Sequence, residues 1–177
     1  MSFDFKQNYF ELFSLPFQFE VDTAALSEKY RELQQVLHPD RYADKGEQEQ
    51  RMAVQASSHL NMAKDALQHP LSRATYILSL QGIDLLSETD TKMDHGFLFK
   101  QMEWRESLEE LKLDDSAWDV LDSLTDEVQK ERRSNLSALS ELIANEDWVA
   151  ARDKVRQLQF VEKMLSEISE KEAAIED

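Results

Sequence analysis

His38, Pro39 and Asp40 stand side by side between two segments of helical patterning, and the chemistry such a trio can perform is narrow. One imidazole and one carboxylate, adjacent in a loop with no nucleophile assigned to them, make a poor hydrolase site. As a recognition element the trio is better equipped. Pro39 fixes the backbone, and Asp40 is an anion able to receive a bidentate arginine. A plainer alternative has Pro39 merely ending a helix at Leu37 while Asp40 starts the next turn. The other histidines, His59, His69 and His95, are scattered; His59 and His69 fit cap, core-edge or surface positions better than a metal site. There is no glycine-rich phosphate loop. With no cysteine in the chain, disulfides, thiolate metal sites and direct cysteine ligation of an iron–sulfur cluster are excluded. Neither an enzyme nor a resident cofactor or metal is expected.

The elements that must position the trio follow from capping and periodicity. Asn8 with Glu11 three residues on resembles a capping box, and Pro16 bars continuation of the short helix carrying Tyr9, Phe10, Leu12 and Phe13, which predicts about two turns. Asp22 caps a second helix from about Thr23 to Leu37, with Leu26, Tyr30, Leu33 and Leu37 on one face. After the loop, Gly46 and the polar stretch Gly46-Glu47-Gln48-Glu49-Gln50 lead into a third helix, which carries Ala53, Ala56, Leu60, Ala63 and Leu67. Its small residues allow the close approach of an antiparallel partner. The trio then sits at the tip of a helical hairpin, outside the pair's own core and open to a partner.

Beyond residue 80 a glycine and a polar run predict a connector over residues 81–92, in which Ile83, Leu85 and Leu86 are apolar enough to dock. A helix from about Phe97 to Leu111 follows. Counted at roughly 100° per residue, Phe97, Trp104, Leu108 and Leu111 form a narrow core stripe. Leu98, Phe99 and Met102 fall nearly opposite, among Glu103, Glu106 and Glu110. A second apolar patch rimmed by carboxylates suits a docking surface; the alternative packs Leu98 and Phe99 beneath the connector or a neighbouring helix. Asp114-Asp115-Ser116 can cap a middle helix of about Ala117 to Ile143, with Trp118, Leu121, Val128, Leu136, Leu139 and Ile143 as core candidates. A last helix begins at Asn145, with a stripe of Trp148, Ala151, Val155, Leu158 and Leu165, and ends in a frayed acidic tail after Lys171. Phe160 lies off that stripe, near the first helix of the set or within the bundle.

Residues 8–76, with Asn8-Tyr9-Phe10-Glu11-Leu12-Phe13, the His38-Pro39-Asp40 loop and Ala66-Leu67-Gln68-His69-Pro70-Leu71-Ser72-Arg73-Ala74-Thr75-Tyr76, resemble a J domain. The whole chain is similar to the HscB family of bacterial iron–sulfur co-chaperones, a match supported by Tyr76-Ile77-Leu78-Ser79-Leu80-Gln81-Gly82, by Phe97-Leu98-Phe99 and by Arg105-Glu106-Ser107-Leu108. The resemblance implies an all-α protein with a J domain over residues 1–80, the connector over 81–92 and a C-terminal three-helix bundle over 93–177, arranged in an L shape. It further implies stimulation of ATP hydrolysis by an HscA-type chaperone, engaged through His38, Pro39, Asp40, Arg31, Lys29 and Arg41. An IscU-type cluster scaffold would be bound through Leu98, Phe99, Met102, Glu103, Glu106, Glu110 and Phe160. One departure from the J-domain pattern stands out: the outer side of the second helix also carries Glu28, Glu32 and Gln35, so its patch is only weakly positive even with Lys45 beyond the loop.

Composition bounds the alternatives. In 177 residues, 41% hydrophobic content supports a modest core, and only three glycines and three prolines favour helices over a turn-rich sheet fold. A formal charge of −16 disfavours nucleic acid and anionic membranes and favours a basic partner surface. Neither an apolar span nor a basic signal-peptide start occurs, which predicts a cytoplasmic protein. A J protein with a different client and a helical adaptor without a chaperone role stay open beside the main reading.

Overall fold

The computed structural model describes residues 3–83, 85, 94–111 and 117–176. All regular structure among them is helical, and no helix there is long and apolar enough to cross a membrane. By internal contacts the chain divides into two units, Met1–Ile77 and Leu78–Asp177.

In the first unit, α1 spans Tyr9–Leu12, α2 Thr23–Leu37 and α3 Glu47–Gln68, with a 3-10 turn at Pro39–Tyr42 between α2 and α3. The Asn8–Glu11 capping box forms as the sequence predicts. However, α1 is one turn rather than two. Ser14 takes a left-handed φ of 54°, and Leu15 N–H returns to the Phe10 carbonyl at 2.8 Å, so the helix closes before Pro16 is reached. Asp22 caps α2, accepting from the N–H groups of Ala24 and Ala25. All five apolar positions read along α3 are fully buried. On α2, Leu26 and Leu37 are buried while Tyr30 and Leu33 are half-buried. Tyr30 is instead held by polar bonds: its hydroxyl donates to Asn61 Oδ1 at 2.8 Å, and the Gln34 amide donates to the same oxygen at 2.8 Å.

Helix α4, Pro70–Leu80, starts at a proline, whose missing N–H costs nothing at a first helical position. The turn before it leaves the last carbonyls of α3 without helical partners. Arg73, only 5% exposed, supplies them. Its Nε donates to the Leu67 carbonyl at 2.8 Å and Nη2 to that of Gln68 at 3.3 Å, while Nη1 reaches the Phe19 carbonyl at 2.8 Å. Ser72 Oγ adds bonds to the carbonyls of Asp65 and His69.

In the second unit, α5 spans His95–Glu109, α6 Ala117–Ala144 and α7 Trp148–Glu176. Phe97, Trp104 and Leu108 of α5 meet Leu121, Leu124 and Val128 of α6 and Val161, Met164 and Ile168 of α7 in one core cluster. Helix α5 starts two residues ahead of the predicted Phe97, capped by Asp94, which accepts from Phe97 N–H at 2.9 Å. The predicted cap at 114–116 lies outside the described residues, as do residues 84 and 86–92 of the predicted connector. Leu85 is described, and its carbonyl accepts from Arg156 of α7 at 3.4 Å.

Two core assignments on α6 need correction: Trp118 is exposed and Leu136 half-buried. Each lies one residue, about 100°, round from a buried neighbour. The buried line runs through Ala117, Leu121, Leu124, Val128, Asn135 and Leu139. On α7 likewise, Leu165 is half-buried while Val161, Met164 and Ile168 carry the core. The last helix starts at Trp148, not Asn145, because Glu146 adopts a left-handed φ of 57° and Asp147 N–H caps back to the Leu142 carbonyl at 2.9 Å. It also continues through the acidic tail to Glu176, where fraying after Lys171 was expected.

Candidate functional site

The end of α2 is closed by the residues that follow it. His38 N–H bonds to the Gln34 carbonyl at 2.9 Å. Arg41 then folds back to donate from Nη1 to the Gln35 carbonyl at 2.7 Å, and the Tyr42 hydroxyl donates to Val36 at 3.2 Å. Three carbonyls left open by the helix end are thereby satisfied. Asp40 N–H donates to His38 Nδ1 at 3.3 Å, which leaves the proton of the neutral ring on Nε2, the other nitrogen. The Asp40 carboxylate lies 3.6 Å from the same Nδ1, and both side chains are open to solvent. The tip thus displays a hydrogen-bond donor and an anion on a backbone fixed by Pro39 and by the two returning side chains.

The basic residues predicted beside this tip do not share one face. Arg31 lies about 140° round α2 from Leu26, close to Gln35, to which Arg41 is bound. Lys29 lies about 60° to the other side, and its ammonium pairs with Glu32 at 2.9 Å. That partner holds the Lys29 pKa above its ordinary value of 10.5. Arg31 and Arg41 therefore form the basic edge on the outer face, and Lys29 stands apart with its charge already matched.

On α5, Phe97, Trp104 and Leu108 point into the core, while Leu98, Phe99 and Met102 are 42%, 69% and 62% exposed, as is Phe160 of α7 at 40%. Leu98, Met102 and Phe160 converge on a groove of about 190 Å³ between α5 and α7. Phe99 does not line it and lies further round α5, with Glu103, Glu106 and Glu110 at successive positions on that flank, all exposed. Groove residues that periodicity on α5 alone did not single out are Gln101, Arg105, Lys163, Met164 and Glu167. Gln101 falls at the margin between the two stripes, and Lys163 and Met164 belong to a helix 60 residues away, so only the packing of α5 on α7 brings them together.

Comparison with known proteins covers nearly the whole chain. A family model described as the HSCB C-terminal oligomerisation domain matches residues 93–169. A co-chaperone protein HscB homolog from Cupriavidus taiwanensis is 45% identical over 172 residues, 97% of each chain. Chaperone HscB from Vibrio cholerae superposes with a TM-score of 0.85 at 39% identity, covering 96% of this chain and 99% of that one. Human co-chaperone protein HscB superposes with a TM-score of 0.87 at 28% identity, over 96% of this chain and 84% of the human chain.

Proposed function

The chain belongs to the HscB family of co-chaperones, and from that premise we propose that it binds an IscU-type iron–sulfur cluster scaffold, delivers it to an HscA-type ATPase chaperone and stimulates that chaperone's ATP hydrolysis. The observation that carries this reading is the solvent-facing patch of Leu98, Met102 and Phe160, flanked by Glu103, Glu106 and Glu110 on a helix whose opposite face is already committed to the core. Apolar anchors supply affinity, and the carboxylates steer a basic partner. Phe99, the most exposed of the set, extends the patch outward.

The J-type tip supplies the other half. His38, Pro39 and Asp40 act as regulatory contacts that favour the hydrolysis-competent state of the chaperone, with Arg31 and Arg41 orienting the approach. None of them is a catalytic residue of this chain. Holding the scaffold on the C-terminal bundle, over residues 93–177, and engaging the chaperone through the J-type region, over residues 1–80, raises the local concentration of scaffold at the chaperone's peptide site. On this reading the protein is cytoplasmic, alongside its two partners.

Steady-state ATP hydrolysis by a cognate HscA-type chaperone tests the proposal. Stimulation by this protein, enhanced by added scaffold and abolished in His38→Gln, is the expected result. Stimulation indifferent to the scaffold would keep the J-type role and remove the iron–sulfur client. No stimulation in an active assay would leave a helical adaptor.

A further inference from the structure

The groove between α5 and α7 contains one polar atom with nothing to bond. Gln101 Nε2 is shielded from solvent and has no hydrogen-bond partner, in a groove whose apolar walls include Leu98, Met102, Phe160 and Met164. An amide donor left unpaired in such a setting destabilises the free protein, and an apolar side chain of the same length would avoid the cost. Arg105 opens on the same groove. No ion pair among the described residues engages it, whereas the neighbouring Lys163 ammonium lies 3.6 Å from Glu167. The apolar patch is therefore bordered by two unlike edges. Carboxylates stand on the flank of α5 that carries Phe99, whereas the flank that faces α7 carries Gln101 and Arg105 as donors without an ion pair, beside the Lys163–Glu167 pair that also lines the groove.

We propose that Gln101 and Arg105 are specificity-determining residues that form a donor edge of the scaffold-binding surface. The inference rests on the scaffold-binding reading above and adds to it the chemistry of the segment that enters the groove. That segment carries apolar side chains, a backbone carbonyl that accepts from Gln101 Nε2, and a carboxylate that meets the Arg105 guanidinium. The Gln101 side chain has three rotatable bonds and Met102 is readily repacked, so the amide can turn into the groove as the acceptor arrives. A bond absent from the free protein and made in the complex favours binding at both ends: it removes an unpaired donor and completes the partner's carbonyl. Two edges of opposite character also fix which way round the scaffold sits, because a reversed pose would set its carboxylate against Glu103 and Glu106.

Calorimetric titration of the full chain with a purified IscU-type scaffold tests this, alongside thermal unfolding of the same samples. Gln101→Met is expected to weaken binding about five- to tenfold while its unfolding temperature stays level or rises. Arg105→Gln is expected to weaken binding about two- to fivefold and to lessen its salt dependence. Gln101→Glu, of the same shape but without a donor, should bind less well than Gln101→Met. Met102→Ala, which weakens binding whether or not the donor edge exists, shows that the assay registers this surface. Gln101→Met binding within twofold of the unaltered protein, with Met102→Ala impaired, would overturn the proposal. No binding by the unaltered protein would overturn the scaffold reading and the donor edge with it, an outcome told apart because every variant would then be equally silent.

Discussion

Replacing Arg73 by Met should unfold the first unit far more readily, and the structure sets the size of the effect. The guanidinium is buried and donates to the carbonyls of Leu67, Phe19 and Gln68 at 2.8, 2.8 and 3.3 Å. Burial pushes its pKa down from the ordinary guanidinium value, with the Glu20 carboxylate opposing that shift in part, so burying this charge has a cost that the bonds must exceed. Met keeps most of the volume, removes the charge and its cost, and leaves two well-bonded carbonyls and one weaker acceptor without partners. At about 1–3 kcal/mol for each orphaned acceptor, less the relieved desolvation, the net loss comes to about 2–4 kcal/mol. All three tryptophans, Trp104, Trp118 and Trp148, lie in the second unit. Urea unfolding followed by tryptophan fluorescence therefore reports that unit, and far-ultraviolet circular dichroism reports both. The dichroism transition of Arg73→Met should move to lower urea by the amount above while the fluorescence transition holds. Arg73→Lys keeps the charge without the three-pronged fork and should recover less than half of the loss. A loss below about 1 kcal/mol in Arg73→Met, or full recovery in Arg73→Lys, would refute the idea that the fork's bonds to backbone stabilise this unit.

Glu146→Gly should stabilise the second unit by about 1 kcal/mol, because a left-handed residue at the α6–α7 turn is strained for any side chain with a Cβ; tryptophan-monitored urea unfolding measures it. Burial raises the Tyr76 pKa above its ordinary value of 10.0, against the bond from Tyr9 N–H. Its contribution to stability is therefore complete below that value and is lost as pH rises through the higher folded-state pKa; in an alkaline unfolding series Tyr76→Phe should lessen the decline. Lys29→Gln should leave half-maximal stimulation of the chaperone ATPase within about twofold of the unaltered protein, its charge being matched by Glu32. Arg31→Gln, on the face shared with Arg41, should raise the concentration required by about fivefold or more.

Helix α2 was legible to the residue, because a capping aspartate marks its start, and the buried face of α3 was legible from its unbroken stripe, whereas its start at Glu47 lies within the polar stretch that reads as a lead-in. Ends set by a backbone conformation were not. Nothing in the identities of Ser14 or Glu146 announces a left-handed φ, so α1 was read too long and α7 as starting too early. On α6, large side chains drew the core toward Trp118 and Leu136, yet the buried line passes through smaller residues such as Ala117 and Asn135. The apolar patch on α5 was legible because it lies opposite a core stripe on the same helix. Its groove was legible only in part, since Lys163 and Met164 join it through packing between helices. Arg73 also escaped notice, as a guanidinium that caps backbone leaves no periodic trace.

The returning side chains of Arg41 and Tyr42 have a kinetic consequence. Much of a flexible recognition loop's binding energy is spent on ordering it, which weakens the complex and slows productive encounters. Here that ordering is complete before any chaperone arrives, done by bonds to the carbonyls of Gln35 and Val36. A larger share of encounters can then be productive, with residence time set by the few side chains at the tip. A contact made by so few side chains lets quick capture and quick release go together.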